Sequence, residues 1–418
     1  MSSRAKADKK RRESREATLL RHSFMECKTV EVKVHKSSLS KVIQDHLRMV
    51  FIEAKWMYND MVTCEAGIFD YDYKTETVRV LNRDRKYEMR SIIHLSSHMR
   101  QGIIDQAKAN IRTLSTVKKK GNRVGILKPV RVINSVSLQQ FGTKDIYKND
   151  YVRLQGLKKL LKVRGLRQIP RDAEVACAKF VRKNGDYYFK ITCYLPKVER
   201  PDTGKSIGLD LGLSTTITTS EGKKMNAKVS KTKRFKQLQK LASKKLKKSR
   251  RRRKTFDKYN KEQEKMVNKK NDMRRKLVHD LVRDYDFIAV QDDSIASWQR
   301  GGHGRAVEES CLGGIILDLK RKAKTLIQVN RYFPSTKTCN KCKHVGPSLD
   351  LKQRTFVCEK CGHTDDRDVN AAKNDLDEGL RLYALRDAGK RSLSDEPLQE
   401  SSVTTLLQVH RDEAMSCT

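Results

Sequence analysis

At 418 residues the chain is long enough for two or three domains, each burying a core. Its 91 Lys and Arg against 50 Asp and Glu leave a formal charge of +41, far beyond what solubility needs. Self-repulsion on that scale is offset by a polyanion, so nucleic acid is the leading partner class. No apolar run reaches eighteen residues and the first twenty-one are polar and basic rather than signal-like, so a soluble, intracellular protein is expected.

Residues 1–22 form a charged arm of low hydrophobicity, expected to be flexible until a partner orders it. Phe24 to Val34 alternates, with Val30, Val32 and Val34 on one side, and reads as a strand. Ser38 to Ala66 has helical spacing (Leu39, Val42, Ile43, Leu47, Val50, Phe51, Ala54, Met57, Met61), and a second helix is expected over Ser91 to Leu114. Gly67 to Tyr87, between them, reads as loops or short strands. From Gly121 to Pro196 the pattern turns to β: Val124–Leu127, Val130–Val136 and Tyr151–Leu154 are candidate strands, and Lys158–Val163 a candidate basic helix. Val175–Val181 and Tyr187–Leu195 flank Lys183-Asn184-Gly185-Asp186, a hairpin turn signal. The whole reads as a small β-barrel interrupted by helices, with Pro196 to Lys205 as a linker.

Ser206 to Thr219 opens a new unit. Ser-Ile-Gly-Leu-Asp210-Leu-Gly-Leu is an apolar strand with one carboxylate inside it, costly unless paired or metal-bound. Lys231 to Arg283 is a long, very basic helical region. A charge run is ordinarily a solvated face; the density of Lys244 to Lys254 favours phosphate contact and steeply salt-dependent binding. A second apolar strand ends in Gln291-Asp292-Asp293. A glycine-containing loop, an amphipathic helix over Leu312 to Ile327 and a strand to Phe333 follow.

Cys339-x-x-Cys342 and Cys358-x-x-Cys361, fifteen residues apart, have the spacing of a four-thiolate zinc site. Four ligands leave no open position, so the ion is expected to be structural. Cys27, Cys64, Cys177, Cys193, Cys311 and Cys417 are scattered, as reduced thiols are. Asp368 follows seven residues after Cys361 and opens a helix, with Asp365 and Asp366 just before it; the chain then runs as a helix to about Leu385 and into a serine-rich tail. Carboxylates gathered from separate elements (Asp210, the Asp292/Asp293 pair, Asp368) suit a phosphodiesterase in which two Mg²⁺ ions roughly 3.5–4 Å apart activate water and stabilise the leaving oxygen.

The motifs Gly208-Leu-Asp210-Leu-Gly, Val290-Gln-Asp-Asp, Pro334-Ser-Thr-Lys-Thr-Cys-Asn-Lys-Cys and Asp366-Arg-Asp368-Val-Asn-Ala-Ala-Lys-Asn resemble the RuvC nuclease of transposon-encoded TnpB proteins and of the miniature type V CRISPR effectors. The match is detailed over about residues 206–385 and only architectural upstream. The resemblance implies an α/β and α+β multidomain protein. Its expected parts are a basic arm (1–22), a wedge-like β-barrel (23–36 and 121–200) and a helical recognition lobe (37–120). An RNase H-like RuvC domain (201–335 and 364–385), a zinc ribbon (336–363) and a polar tail (386–418) complete it. It also implies a cytoplasmic, nucleoid-associated RNA-guided DNA endonuclease of a prokaryotic cell. A guide from a transposon-end RNA or a CRISPR RNA would pair with target double-stranded DNA beside a short flanking motif.

Asp210 corresponds to the first catalytic Asp of that family and Asp368 to the last. The middle position departs: Gln291 stands where the family has Glu. Residues two apart in a strand share a face, so Asp293 is assigned as the third Mg²⁺ ligand, with Asp292, Glu308 and Glu309 as alternatives. The competing readings are a nuclease-dead RNA-guided repressor, because of Gln291, and a zinc-ribbon DNA-binding protein without a guide.

Overall fold

The computed structural model describes residues 3–393, apart from 65–66, 83, 199, 348–349 and 351–352. The expected tail beyond Leu393, with Cys417, lies outside the described residues. The chain folds as two compact units that divide after Val198.

The first unit starts with α1 (Ser3–Ser23), a correction to the flexible arm expected there. This stretch holds neither Gly nor Pro and is rich in Ala, Lys, Arg and Glu, all good helix formers. Its end is tied down: Arg21 and His22 bind Glu174 at 2.7 and 3.1 Å, and the His22 ring stacks on Tyr194. Then come β1 (Met25–Val34), α2 (Lys41–Thr63), β2 (Thr77–Leu81), β3 (Tyr87–Ser91), α3 (Ser97–Lys119), β4 (Ser135–Leu138), β5 (Ile146–Tyr147), β6 (Tyr151–Val152), β7 (Leu161–Arg164), β8 (Glu174–Lys183) and β9 (Asp186–Pro196). Seven of these strands make one antiparallel sheet in the order β4-β8-β9-β1-β7-β6-β5. Among the described residues no pairing joins β4 to β5, so the sheet is not closed by hydrogen bonds as a barrel would be.

Ser40 and Ser96 cap α2 and α3 by accepting from the N–H of Ile43 and Met99. The apolar faces of both helices (Leu47, Phe51, Met57; Met99, Ile104) share a core with Phe180 and Phe189 of the sheet. Two local expectations are corrected. Residues 124–134 hold no strand, since Pro129 and the interspersed cations spoil the alternation. Lys158–Val163 does not form a helix: Leu161 and Val163 are buried and Lys162 and Arg164 exposed, the two-residue period of a strand.

The second unit is built on β10 (Ser206–Leu211), β11 (Ile217–Thr219), β12 (Lys224–Met225), α4 (Lys233–Lys244), α5 (Arg250–Asp284), β13 (Phe287–Gln291), α6 (Ile295–Trp298), α7 (Gly304–Ser310), α8 (Leu312–Lys322), β14 (Thr325–Val329), β15 (Thr355–Val357), β16 (Thr364–Asp366) and α9 (Arg367–Leu393). Five strands form a mixed sheet ordered β12-β11-β10-β13-β14. The β10–β11–β12 meander is antiparallel, and β13 and β14 run parallel to β10.

Helices cover both faces. Ile207, Leu209, Leu211, Ile288 and Val290 pack on Leu277, Val278 and Leu281 of α5 and on Leu312, Ile315 and Leu319 of α8. The alternate residues, Phe287, Ala289 and Ile327, meet Leu376 and Leu382 of α9. Gly208 lies on this second face against α9, where an added Cβ would fall 1.9 Å from the Ala372 carbonyl oxygen. Only glycine permits that approach. By the same two-residue period Asp210 and Gln291 belong to the α9 face.

Candidate active site

Asp210 occupies the second-last position of β10, opposite Thr218 of β11. Asp368 lies in the first turn of α9, where the helix dipole favours a carboxylate. Its orientation comes from its neighbours. Asp366 caps the helix by accepting from the N–H of Asp368 and Val369 at 3.1 and 3.2 Å, and Lys224 holds the other Asp366 oxygen at 2.7 Å. Arg367 donates to Asp368 Oδ1 at 3.3 and 3.2 Å, and Arg354 approaches Oδ2 at 3.7 Å. Asp365 is committed to Lys373 at 2.7 Å.

Strand β13 ends at Gln291, earlier than the alternation suggested. A tight turn follows, in which the Asp293 N–H donates to the Gln291 carbonyl at 3.0 Å. Asp292 takes Gln328 and Arg331 as partners at 3.0 and 3.1 Å, whereas the charge of Asp293 acts on Asp210. Glu308 and Glu309, the other candidates, are held by basic and hydroxyl groups: Lys231 at 2.9 Å for Glu308, and Arg305 and Ser230 at 3.2 and 3.1 Å for Glu309.

Burial and neighbouring acidic charge raise the pKa of two of these carboxyls. Burial pushes Asp210 up to about 8, and the charges of Asp368 and Asp293 add to the rise, with Arg367 opposing. Burial and the neighbouring Asp292 push Asp293 up to about 6, with Arg331 opposing. Such repulsion is what a divalent cation relieves, and an all-oxygen donor set suits Mg²⁺. Among the described residues, however, the carboxylate oxygens do not close within 4.8 Å of one another as the cysteine sulfurs do.

Gln291 has a structural task. Its Nε2 donates to the carbonyls of Phe333 at 2.7 Å and of Asn330 and Arg331 at 3.3 Å, and its Oε1 accepts from the Ser335 hydroxyl at 3.2 Å. The amide thus latches the end of β13 to the segment leaving β14. Two buried asparagines do similar work on α9. Asn370 donates to the Thr338 carbonyl at 2.8 Å, and Asn374 to those of Ser335 and Thr338 at 2.8 and 2.6 Å, binding the first cysteine knuckle to the helix. Their spacing of four residues, one helical turn, is the sequence signal for this pair. Asp375 also went unread: it is fully buried, and burial together with Asp210 and Asp293 pushes its carboxyl up to about 8.

The sulfurs of Cys339, Cys342, Cys358 and Cys361 lie within 4.8 Å of one another, with Cys339–Cys361 at 3.7 Å and Cys342–Cys358 at 3.6 Å. A tetrahedron of thiolates about 2.3 Å from zinc has edges of about 3.8 Å, so the set fits that ion. Both knuckles turn alike: Lys343 and Gly362, each following its second cysteine, have φ of 59° and 69°. The N–H of Cys361 and Lys360 on the Cys358 sulfur hold that thiol down at about 7.

Away from the acidic residues, α4 and α5 fold back on each other through Phe235 and Tyr259, with ring centroids 4.7 Å apart. Lys244, Lys247, Lys248, Arg250, Arg251, Arg253 and Lys254 are exposed around the turn between them. None of the helices of the described residues is long and apolar enough to cross a membrane.

Residues 190–296 match the family model described as a probable transposase, OrfB_IS605, and residues 316–374 match the TNB domain of Cas12f1-like proteins. A Streptomyces pristinaespiralis protein named "Putative RNA-guided DNA endonuclease" is 28% identical over 270 residues, 60% of this chain and 67% of that one. The TnpB-like protein L79 of Acanthamoeba polyphaga mimivirus is 32% identical over 139 residues, 28% of this chain; the match spans about a quarter (24%) of the viral protein. Among solved structures, a Cas12f1-sgRNA-target DNA complex aligns at 14% identity and a TM-score of 0.45, covering 84% of this chain and 98% of that one.

Proposed function

The chain carries TnpB-like and Cas12f1-like domains, and on that premise we propose that it is an RNA-guided DNA endonuclease with a RuvC-type site on an RNase H-like fold. The observation that carries this reading is the carboxyl of Asp210, buried on the α9 face of the mixed sheet where the charges of Asp368 and Asp293 both act on it. The strand order, an antiparallel meander extended by two parallel strands, and the helix laid across it support the fold assignment.

Asp210, Asp293 and Asp368 would hold two Mg²⁺ ions, which when bound supply Lewis-acid stabilisation of the attacking and leaving oxygens. To do so Asp210 and Asp293 must give up the protons that burial and neighbouring carboxylates favour. Arg367 and Arg354 position Asp368 and offset part of the local negative charge. Cys339, Cys342, Cys358 and Cys361 would hold a structural Zn²⁺, bracing the start of α9 through Asn370 and Asn374. The first unit, with its sheet and helices, would serve as the wedge-like and recognition parts that bind guide RNA and the flanking motif of double-stranded DNA. The exposed cations at the α4–α5 turn would meet nucleic-acid backbone. Such a protein works in the cytoplasm, at the nucleoid. Gln291 favours the second reading, a nuclease-dead RNA-guided repressor.

The test is cleavage of a plasmid bearing a guide-matched target, by protein purified with its RNA in Mg²⁺. Cutting by wild type and its loss in Asp293→Ala are expected. Full activity of Asp293→Ala removes that residue from the mechanism. Guided binding without cutting leaves the repressor, and absence of copurified RNA leaves the zinc-ribbon DNA-binding protein.

A further inference from the structure

Asp375 lies seven residues beyond Asp368 on α9, within about 20° of two full helical turns, and so on the same face. It is 0% exposed, and neither of its carboxylate oxygens has a hydrogen-bond partner. Buried carboxylates of this kind are normally paired or bound to metal. The charges that act on it are those of Asp210 and Asp293, both acidic. The Ser335 hydroxyl is near enough to Asp375 to temper its rise in pKa, but in the structure it donates to Gln291 Oε1 at 3.2 Å. Asp375 and Gln291 therefore share a neighbour, one carboxyl on α9 and one amide at the end of β13. The helix turn that carries Asp375 is seated closely on β10, where an added Cβ on Gly208 would meet the Ala372 carbonyl oxygen at 1.9 Å and Leu376 at 2.8 Å.

We propose that Asp375 is a metal-ligating residue of this site, supplying from α9 the acidic charge that Gln291 withholds from β13. The proposal rests on the nuclease reading. It gives the orphaned carboxyl a partner, and it explains how a neutral, fully engaged amide at position 291 is compatible with a charged centre. Asp210, Asp293 and Asp375 would then form the inner acidic group, with Asp368 at the mouth of α9.

The experiment uses full-length protein with its RNA and compares wild type, Asp375→Asn and Asp375→Leu. Mn²⁺ binding is measured by calorimetry, melting with and without Mn²⁺, and cleavage as a function of Mg²⁺ concentration. Removing an unpartnered buried carboxyl should raise the metal-free melting temperature of both variants. The same variants should lose tenfold or more in Mn²⁺ affinity, and Asp375→Asn should need correspondingly more Mg²⁺ for half-maximal cleavage. Melting that rises while Mn²⁺ affinity and Mg²⁺ dependence stay within twofold of wild type overturns the proposal. The leucine variant, which removes the carboxyl and any ligating oxygen, decides the Mn²⁺ question if the asparagine variant does not fold. Wild-type protein that neither binds Mn²⁺ nor cuts overturns the nuclease reading and this proposal with it. Wild type that does both, with a variant equal to it, overturns only the role of Asp375.

Discussion

Restoring an acidic side chain at position 291 should harm this protein. Gln291 Nε2 faces three carbonyl oxygens, at 2.7 Å (Phe333), 3.3 Å (Asn330) and 3.3 Å (Arg331), and has two protons to give them. In Gln291→Glu those donors vanish. Two lost hydrogen bonds at about 1 kcal/mol each, with about 1 kcal/mol more for setting a carboxylate against unsatisfied carbonyls, total about 3 kcal/mol. For a unit of this size that lowers melting by roughly 6–12 °C. The assay is thermal unfolding of wild type, Gln291→Glu and Gln291→Ala, with plasmid cleavage measured in parallel. Glu should be at least as destabilising as Ala, and cleavage by the Glu variant should not exceed wild type. A Glu variant as stable as wild type that cuts several-fold faster would refute the reasoning and mark position 291 as a decayed ligand.

Gly208→Ala should cost about 3 kcal/mol or more, because the new methyl meets backbone of Ala372 at 1.9 Å and Leu376 at 2.8–2.9 Å; limited proteolysis of α9 would report the loss, and wild-type resistance would contradict it. Chelating zinc in Mg²⁺-replete buffer, or Cys358→Ser, should lower the melting temperature of the second unit; an unchanged curve would defeat the structural-zinc assignment. In metal-free protein Asp210 and Asp375 titrate at about 8 and Asp293 at about 6, against an ordinary value of 3.8. The folded chain then binds more protons than the unfolded one across that window, so the contribution is fully present below about pH 4 and lost as pH rises through 6 to 8. Melting should fall over that range and recover most with Mg²⁺ at the alkaline end. A metal-free melting temperature that climbs with pH would be inconsistent with buried, mutually repelling carboxyls.

Local pattern carried much of this structure. The alternation of β1, the spacing of α2, the hairpin at Asn184-Gly185 and the apolar strands β10 and β13 are all visible in short windows, because side-chain period follows backbone geometry. The misreadings came where composition was ambiguous. The charged stretch that forms α1 lacks an apolar stripe, and β7 is too short for four residues to distinguish a strand from a helix. Asn370 and Asn374 stood in a motif already noted, but their work depends on the carbonyls of Ser335 and Thr338, more than thirty residues upstream.

By itself the sequence determined the zinc-type cysteine spacing, the polyanion-directed charge and the two outer aspartates, since each depends on residue type and separation along the chain. Only the tertiary structure decided what surrounds Gln291 and Asp375. One amide latches a loop, and one carboxyl lies buried without a partner beside two others. Burial and repulsion act through space, between α9, β10 and the end of β13, and no spacing in the sequence encodes which of these groups face each other.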